Sequence, residues 1–226
     1  MDKDRTTWTA IRLLIISGMP VALLAARVIY TGEPTYIFLL WNLILAWAPL
    51  VLAYLATRPG GRFRLIIVLW LPAWLLFLPN APYIITDIIH LRERQGVPVL
   101  YDAVLLFAFA MCGLALGFVS LRWVQAQVAR WTGLWWSRLF VLVMLCLTAF
   151  GVYLGRFRRW NSWDVLADPV ALLGDVLARL LHPLDHWRAW GVTGLFAVLL
   201  VFMYWLFLVV AEEGSRGSSQ ASIDPP

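Results

Sequence analysis

Six apolar runs, each close to membrane-crossing length, take up most of this chain: residues 11–30, 37–56, 64–79, 102–121, 138–155 and 190–211. A helix needs about 20 apolar residues, each rising about 1.5 Å, to cross a hydrocarbon core about 30 Å thick. Some runs fall a little short or have polar ends, yet together they dominate the composition. With 62% hydrophobic and 14% charged residues, the chain is far from the roughly 45–50% apolar and 25% charged balance of a soluble domain. A water-facing ball cannot bury that much apolar surface. The expected fold is an all-α integral membrane protein of about six transmembrane helices, with one or two short interfacial or re-entrant helices. A single polytopic domain over 1–211 is expected, followed by a polar, disordered tail at 212–226. Pro20, Pro49 and Pro72 fall inside the first three runs and predict kinks there, since neighbouring helices re-satisfy the freed carbonyls.

The net charge of +5 and pI near 9.6 would suggest nucleic acid in a soluble protein. Here the cations sit between apolar spans, so membrane orientation and anionic lipid explain them better. The expected partner is membrane lipid and not nucleic acid. The 14 Trp fit this reading, because Trp collects at membrane interfaces. Cys112 and Cys146 fall within apolar runs without metal-ligand spacing and read as small core residues. No cofactor is implied. Arg12 and Arg27 bracket the first run and no cleavage motif follows, so it reads as a span, not a signal peptide. Segments 57–63 and 122–137 carry Arg58, Arg62, Arg122 and Arg130 and no acid. By the positive-inside rule both chain ends are then cytoplasmic. Whichever side is inside, helix parity puts the segments 80–101 and 156–189 on one face. Those two segments hold all three His.

Residues 77–91 read FLPNAPYIITDIIHL. Pro79 ends the third span, and Pro82 suits the first position of a new helix, where its missing N–H costs nothing. Winding 82–91 as an α-helix puts Tyr83, Asp87 and His90 at i, i+4 and i+7 on one face, with Thr86 beside them. Ile84, Ile85, Ile88 and Ile89 take the other face. About ten residues give only some 15 Å, so this is an interfacial helix or a half-helix dipping into the bundle. Either Asp87 and His90 solvate its outer face or tie it to the bundle, or they line a site with Asn80 and Tyr83. Ionisable groups at membrane depth favour the functional reading.

Residues 151–169 read GVYLGRFRRWNSWDVLADP. Gly155 is expected to close the fifth span as a C-terminal cap. Arg156, Arg158 and Arg159 follow, then Trp160, Asn161, Ser162 and Asp164. Three guanidiniums on a short path offer bidentate donors to phosphate or carboxylate; Arg and Trp at a span end also anchor helices to headgroups. Asp168-Pro169 is an N-cap with proline at the first helical position. It opens a helix, expected to lie on the membrane surface, with Asp175 and Arg179 four apart. His182 and His186 beyond it, with Asp87 and His90, offer metal-ligand chemistry, but Pro183 spoils a shared helical face for the two His, and no metal is expected. Ala110, Gly113, Gly117 and Ser120 form a small-residue stripe of the kind that packs helices closely. Asn42 is expected to bond between helices.

Four blocks, TYIFLLWNLILAWAP (35–49), FLPNAPYIITDIIHL (77–91), YDAVLLFAFAMCGLALGFVSL (101–121) and GVYLGRFRRWNSWD (151–164), resemble the bacterial membrane family called domain of unknown function 1361. The likeness runs from about residue 28 to 210, and the second and fourth blocks are the specific ones. It implies a multi-pass protein of the bacterial inner membrane and brings no reaction with it.

The functional expectation is an outward-facing polar site for an anionic group, such as a lipid headgroup or lipid-linked phosphate. Its binding residues are expected to be Asn80, Tyr83, Asp102, Arg156, Arg158, Arg159, Asn161 and Asp164, with Asp87 and His90 as acid/base or orienting groups. The sequence does not decide whether the protein is an enzyme. A small-solute transporter, or a structural subunit in which Arg156–Asp87 pairs staple loops together, stands beside that reading.

Overall fold

The computed structural model of the chain describes residues 3–56, 63–94 and 96–220. Arg58, Arg62 and the last six residues of the expected tail lie outside that set. The described residues form an all-α bundle. The helices α1 (Lys3–Thr31), α2 (Phe38–Ala56), α5 (Val99–Thr132), α6 (Leu134–Arg158) and α9 (Trp187–Gln220) are long and apolar enough to cross a membrane. The third expected span is different. Its helix α3 (Phe63–Phe77) has 15 residues, and it continues through α4 (Asn80–Tyr83) into a 3₁₀ segment, Ile84–His90. α9 runs helical through Gln220, past the Glu212 where the polar tail was placed; Ala211, Glu212 and Glu213 are good helix formers that extend its ladder.

The 80–90 segment packs into the bundle. Trp74 meets Ser120, Ala81 meets Gly113 and Gly117, and Thr86 and Asp87 meet Arg156. The chain from α3 to the 3₁₀ segment therefore runs antiparallel to α5 inside the bundle. Ala81, Pro82, Ile84, Thr86 and Asp87 are buried while Ile88 and Ile89 face outward. The helix starts at Asn80, two residues before the expected Pro82, and then tightens to three residues per turn. That tightening brings Asp87 and His90 onto one edge at i, i+3.

Small residues make this passage narrow. A Cβ at Gly113 would overlap the Ala81 carbonyl, and one at Gly117 would stand 2.8 Å from the Ala81 Cβ. The expected stripe on α5 is thus a close-packing seam, and it packs against α4 in particular. Ser120 ends the stripe by donating to the Pro49 carbonyl at 2.9 Å while accepting from the Trp74 indole at 2.7 Å, which ties α2, α3 and α5. Cys112 is buried beside Ser17, but Cys146 is exposed on the outer side of α6, so only the first is a core residue. A helix apolar all round gives no sequence signal of which face turns outward.

Helix α8 (Pro169–Leu181) opens as expected: the Asp168 carboxylate accepts from the Ala171 N–H at 3.1 Å, with Pro169 at the first position. Val170, Leu173, Leu177 and Leu181 on this helix are exposed, and the helix links the tops of α6 and α9. With α7 (Asp164–Ala167) it is tied to the end of α6 through Arg158, Trp160 and Tyr153, which meet Asp175 and Arg179.

Gly113→Leu is expected to destabilise the bundle by about 1–3 kcal/mol through overpacking. Gly194→Ala, where nothing stands within 4 Å, should leave stability unchanged or slightly raised. Thermal unfolding of both variants in one detergent checks this, and equal midpoints would contradict the seam.

Candidate functional site

Arg156, in the last turn of α6, organises the 80–90 segment. Its Nε donates to Thr86 Oγ1 at 2.7 Å, its Nη2 to Asp87 Oδ1, and its Nη1 lies 3.4 Å from His90 Nε2. The guanidinium carbon also stands 4.4 Å from the centre of the Tyr83 ring. Thr86 passes the network on by donating to the Tyr83 carbonyl at 2.6 Å. Asn42 of α2 donates to the other Asp87 oxygen at 2.7 Å, which is the interhelical bond expected of it. Asp87 is 1% exposed and both its oxygens are engaged. The Tyr83, Asp87, His90 and Thr86 face read from the sequence does form, and it faces a cation within the bundle.

The other arginines have different fates. Arg158 makes a bidentate pair with Asp175 of α8 at 3.0 and 2.9 Å. Asp175 also accepts from the Trp160 indole at 2.7 Å and from Arg179 at 2.6 Å. Burial by itself would raise the Asp175 pKa, but hydrogen bonds from Arg158, Trp160 and Arg179 outweigh it and lower it to about 2. Arg179 is itself buried against Tyr153. Arg159 takes the left-handed conformation, φ 62°, that closes α6, and its side chain is exposed with no ion pair among the described residues. The cap is therefore Arg159 and not Gly155. Gly155 is kept inside the helix, where a Cβ would stand 3.1 Å from the Tyr83 ring.

Asp102 is not part of this assembly. It sits in the first turn of α5 and pairs with Arg27 of α1, both 1% exposed, at 2.6 and 3.1 Å. The Tyr36 ring covers Arg27 at 4.9 Å, and the Tyr36 hydroxyl donates to the His90 carbonyl at 3.2 Å. Asp102 thus ties the start of α5 to α1. Asp164 accepts from the Asn161 backbone N–H at 2.6 Å and shapes the turn after Trp160. Among the described residues no three His, Cys, Asp or Glu side chains gather as metal ligands. His182 caps the end of α8 and His186 directly precedes α9.

Beside the Arg156 cluster lies a cleft of about 420 Å³. Its walls are apolar: Leu45 and Leu75, then Leu147, Phe150 and Leu154 of α6, and Leu172, Val176 and Leu180 of α8. Asn42, Asn80, Tyr83, Trp160, Asn161 and Ser162 add polar groups. Asn80 donates to the Phe77 carbonyl and to Ser162, each at 2.9 Å, and Ser162 donates to the Leu76 carbonyl at 3.0 Å. This chain of bonds locks the turn after α6 onto the top of α3, bringing residues 82 apart into one wall. Neither Asp87 nor His90 lines the cleft. The Arg27 partner of Asp102 had a readable signal, because two opposite charges at the same ends of two spans are natural partners. The Arg158–Asp175 pair had none, since it depends on how α7 turns the chain back.

The architecture defines a multi-pass membrane protein with buried carboxylate–guanidinium pairs and an amphipathic cleft at one end. The chain belongs to the family described as Protein of unknown function (DUF1361), whose model matches residues 41–203. No curated protein and no solved structure matches it.

Arg156→Ala leaves Asp87 buried without its cation, and this should cost about 3–5 kcal/mol. Arg158→Ala, at a half-exposed pair, should cost well under that. Unfolding midpoints in detergent measure the contrast, and a reversed order would contradict it. The Asp175 contribution is fully present above the ordinary carboxylate range near pH 4 and is lost as pH falls through about 2. Amide exchange in α8 should therefore keep its protection down to about pH 4 and lose it below, whereas Asp175→Asn should abolish that dependence.

Proposed function

We propose that this protein is a multi-pass protein of the bacterial inner membrane, both chain ends cytoplasmic, whose outward-facing cleft binds an amphiphilic molecule. One observation carries the reading: a cleft of about 420 Å³ combines apolar walls with a small set of amides and aromatic hydroxyl at one side. That is the usual build of a small-molecule pocket, in which apolar lining supplies affinity and a few polar groups fix orientation. An acyl or prenyl chain would lie along α6 and α8. Its polar end would meet Asn42, Asn80, Tyr83 and Asn161. Among the three arginines expected to take an anion, Arg156 and Arg158 are already paired with carboxylates. A lipid-linked phosphate is left with Arg159, next to Trp160 in the chain. In this reading Asp87 positions Arg156, and through it Tyr83, without touching the ligand.

A second reading, a structural subunit, draws on the same Arg156–Asp87 pair, which staples the third span to α6. The two readings part on the cleft. Native mass spectrometry of gently extracted protein is expected to show a co-purifying amphiphile. Val176→Trp, which fills the cleft from α8, should lower its occupancy about tenfold or more, equivalent to about 1.4 kcal/mol or more. Arg159→Ala should do so only if the ligand carries phosphate. Bare wild-type protein, or equal retention in Val176→Trp, would leave the structural reading standing.

A further inference from the structure

A second groove, of about 460 Å³, lies at the opposite end of the bundle between α6 and α9. It is polar at one end and apolar along the rest. Arg138 stands one turn into α6, Gln125 on α5 and Glu212 near the end of α9, while Leu142 and Leu145 of α6 and Val201, Trp205 and Leu208 of α9 line the rest. The two helices run antiparallel, so Arg138 and Glu212 mark the end near the α5–α6 turn, and Leu145 and Val201 lie deeper. Leu142 and Trp205 are exposed, so the groove opens sideways, toward the bilayer.

Its polar end is built. Tyr204 is buried, edge-on to Phe118 at 5.4 Å, and its hydroxyl donates to Gln125 Oε1 at 2.8 Å. Holding that oxygen leaves the Gln125 NH₂ as a donor. Arg138 is exposed and makes no ion pair among the described residues. Glu212 lines the same end and already has an interaction of its own. A guanidinium and an amide donor together suit a phosphate oxygen pair. The nearby carboxylate disfavours a second negative charge, which favours a phosphodiester over a phosphomonoester. The depth order, charge at the bundle end and apolar wall inward, is that of a lipid standing in one leaflet.

We propose that the Arg138–Gln125 groove is a binding site for a glycerophospholipid of the leaflet on the chain-end side, with its phosphodiester on Arg138 and an acyl chain between α6 and α9. This site is independent of the outward-facing cleft.

The test uses the full chain in nanodiscs of phosphatidylethanolamine and phosphatidylglycerol, with native mass spectrometry after release. Wild type is expected to retain phospholipid. Arg138→Gln should lower its occupancy about tenfold, as expected for loss of a charge-assisted bond. Leu142→Trp, which blocks the apolar part and leaves every polar partner, should do the same and decides the matter if Arg138→Gln does not fold. Equal retention in a folded Arg138→Gln, or in Leu142→Trp, overturns the site. Displacement of the lipid by inorganic phosphate overturns a lipid as its occupant. Val176→Trp should leave this phospholipid in place, so failure of the outward cleft and failure of this groove give different results.

Discussion

Asp87 is a carboxylate with almost no contact with solvent, in a stretch of chain wound as a 3₁₀ helix between α4 and the loop before α5. Such a group is tolerable only with a cation and further donors around it. Arg156 supplies the cation, and its planar fork reaches Thr86, Asp87 and His90 while its face covers Tyr83. Asn42 supplies the remaining donor. One side chain from α6 thus holds four positions between Tyr83 and His90. That in turn fixes where Tyr83 and Asn80 stand in the cleft wall. The close seam of Ala81 on Gly113 and Gly117 supports the same passage from the other side.

Charge in this protein is spent mainly on architecture at the end that carries the cleft. Arg27 is matched by Asp102, Arg156 by Asp87, and Arg158 and Arg179 by Asp175. Each pairing joins elements that are not consecutive or, for Asp175, draws α8 down onto α6. The cleft is left with neutral amides, a phenol and apolar walls, a chemistry suited to a chain-bearing molecule more than to a free anion. The opposite end is built differently. There Arg138 is exposed at the mouth of a groove between α6 and α9 and makes no ion pair among the described residues.

The sequence showed where chain would be helical and where helices would meet. Five long helices fall on the expected runs, and the small-residue stripe and the Asp168-Pro169 cap do what their residue types require. Parity placed 80–101 and 156–189 at one end, and the Arg156–Asp87 and Asn80–Ser162 contacts are the result. What was hidden depended on rotation and on backbone detail. The outward position of Cys146 was hidden because an evenly apolar helix does not announce its phase. The 3₁₀ winding of 84–90 follows from packing, since its isoleucines would suit an α-turn as well. Arg159 and not Gly155 ends α6, because Gly155 is needed flat against Tyr83.

From residue types alone come the membrane class, the helices and the list of polar groups gathered at one end, because hydrophobic length and capping chemistry are local properties of the chain. Which carboxylate each arginine meets is not local. Asp102 stood near the others in sequence terms and belongs to Arg27, while Arg158 pairs with Asp175, 17 residues further on. Only the folded bundle decides those pairings, because a buried charge takes the partner that packing brings within hydrogen-bond distance, and packing depends on the whole chain at once.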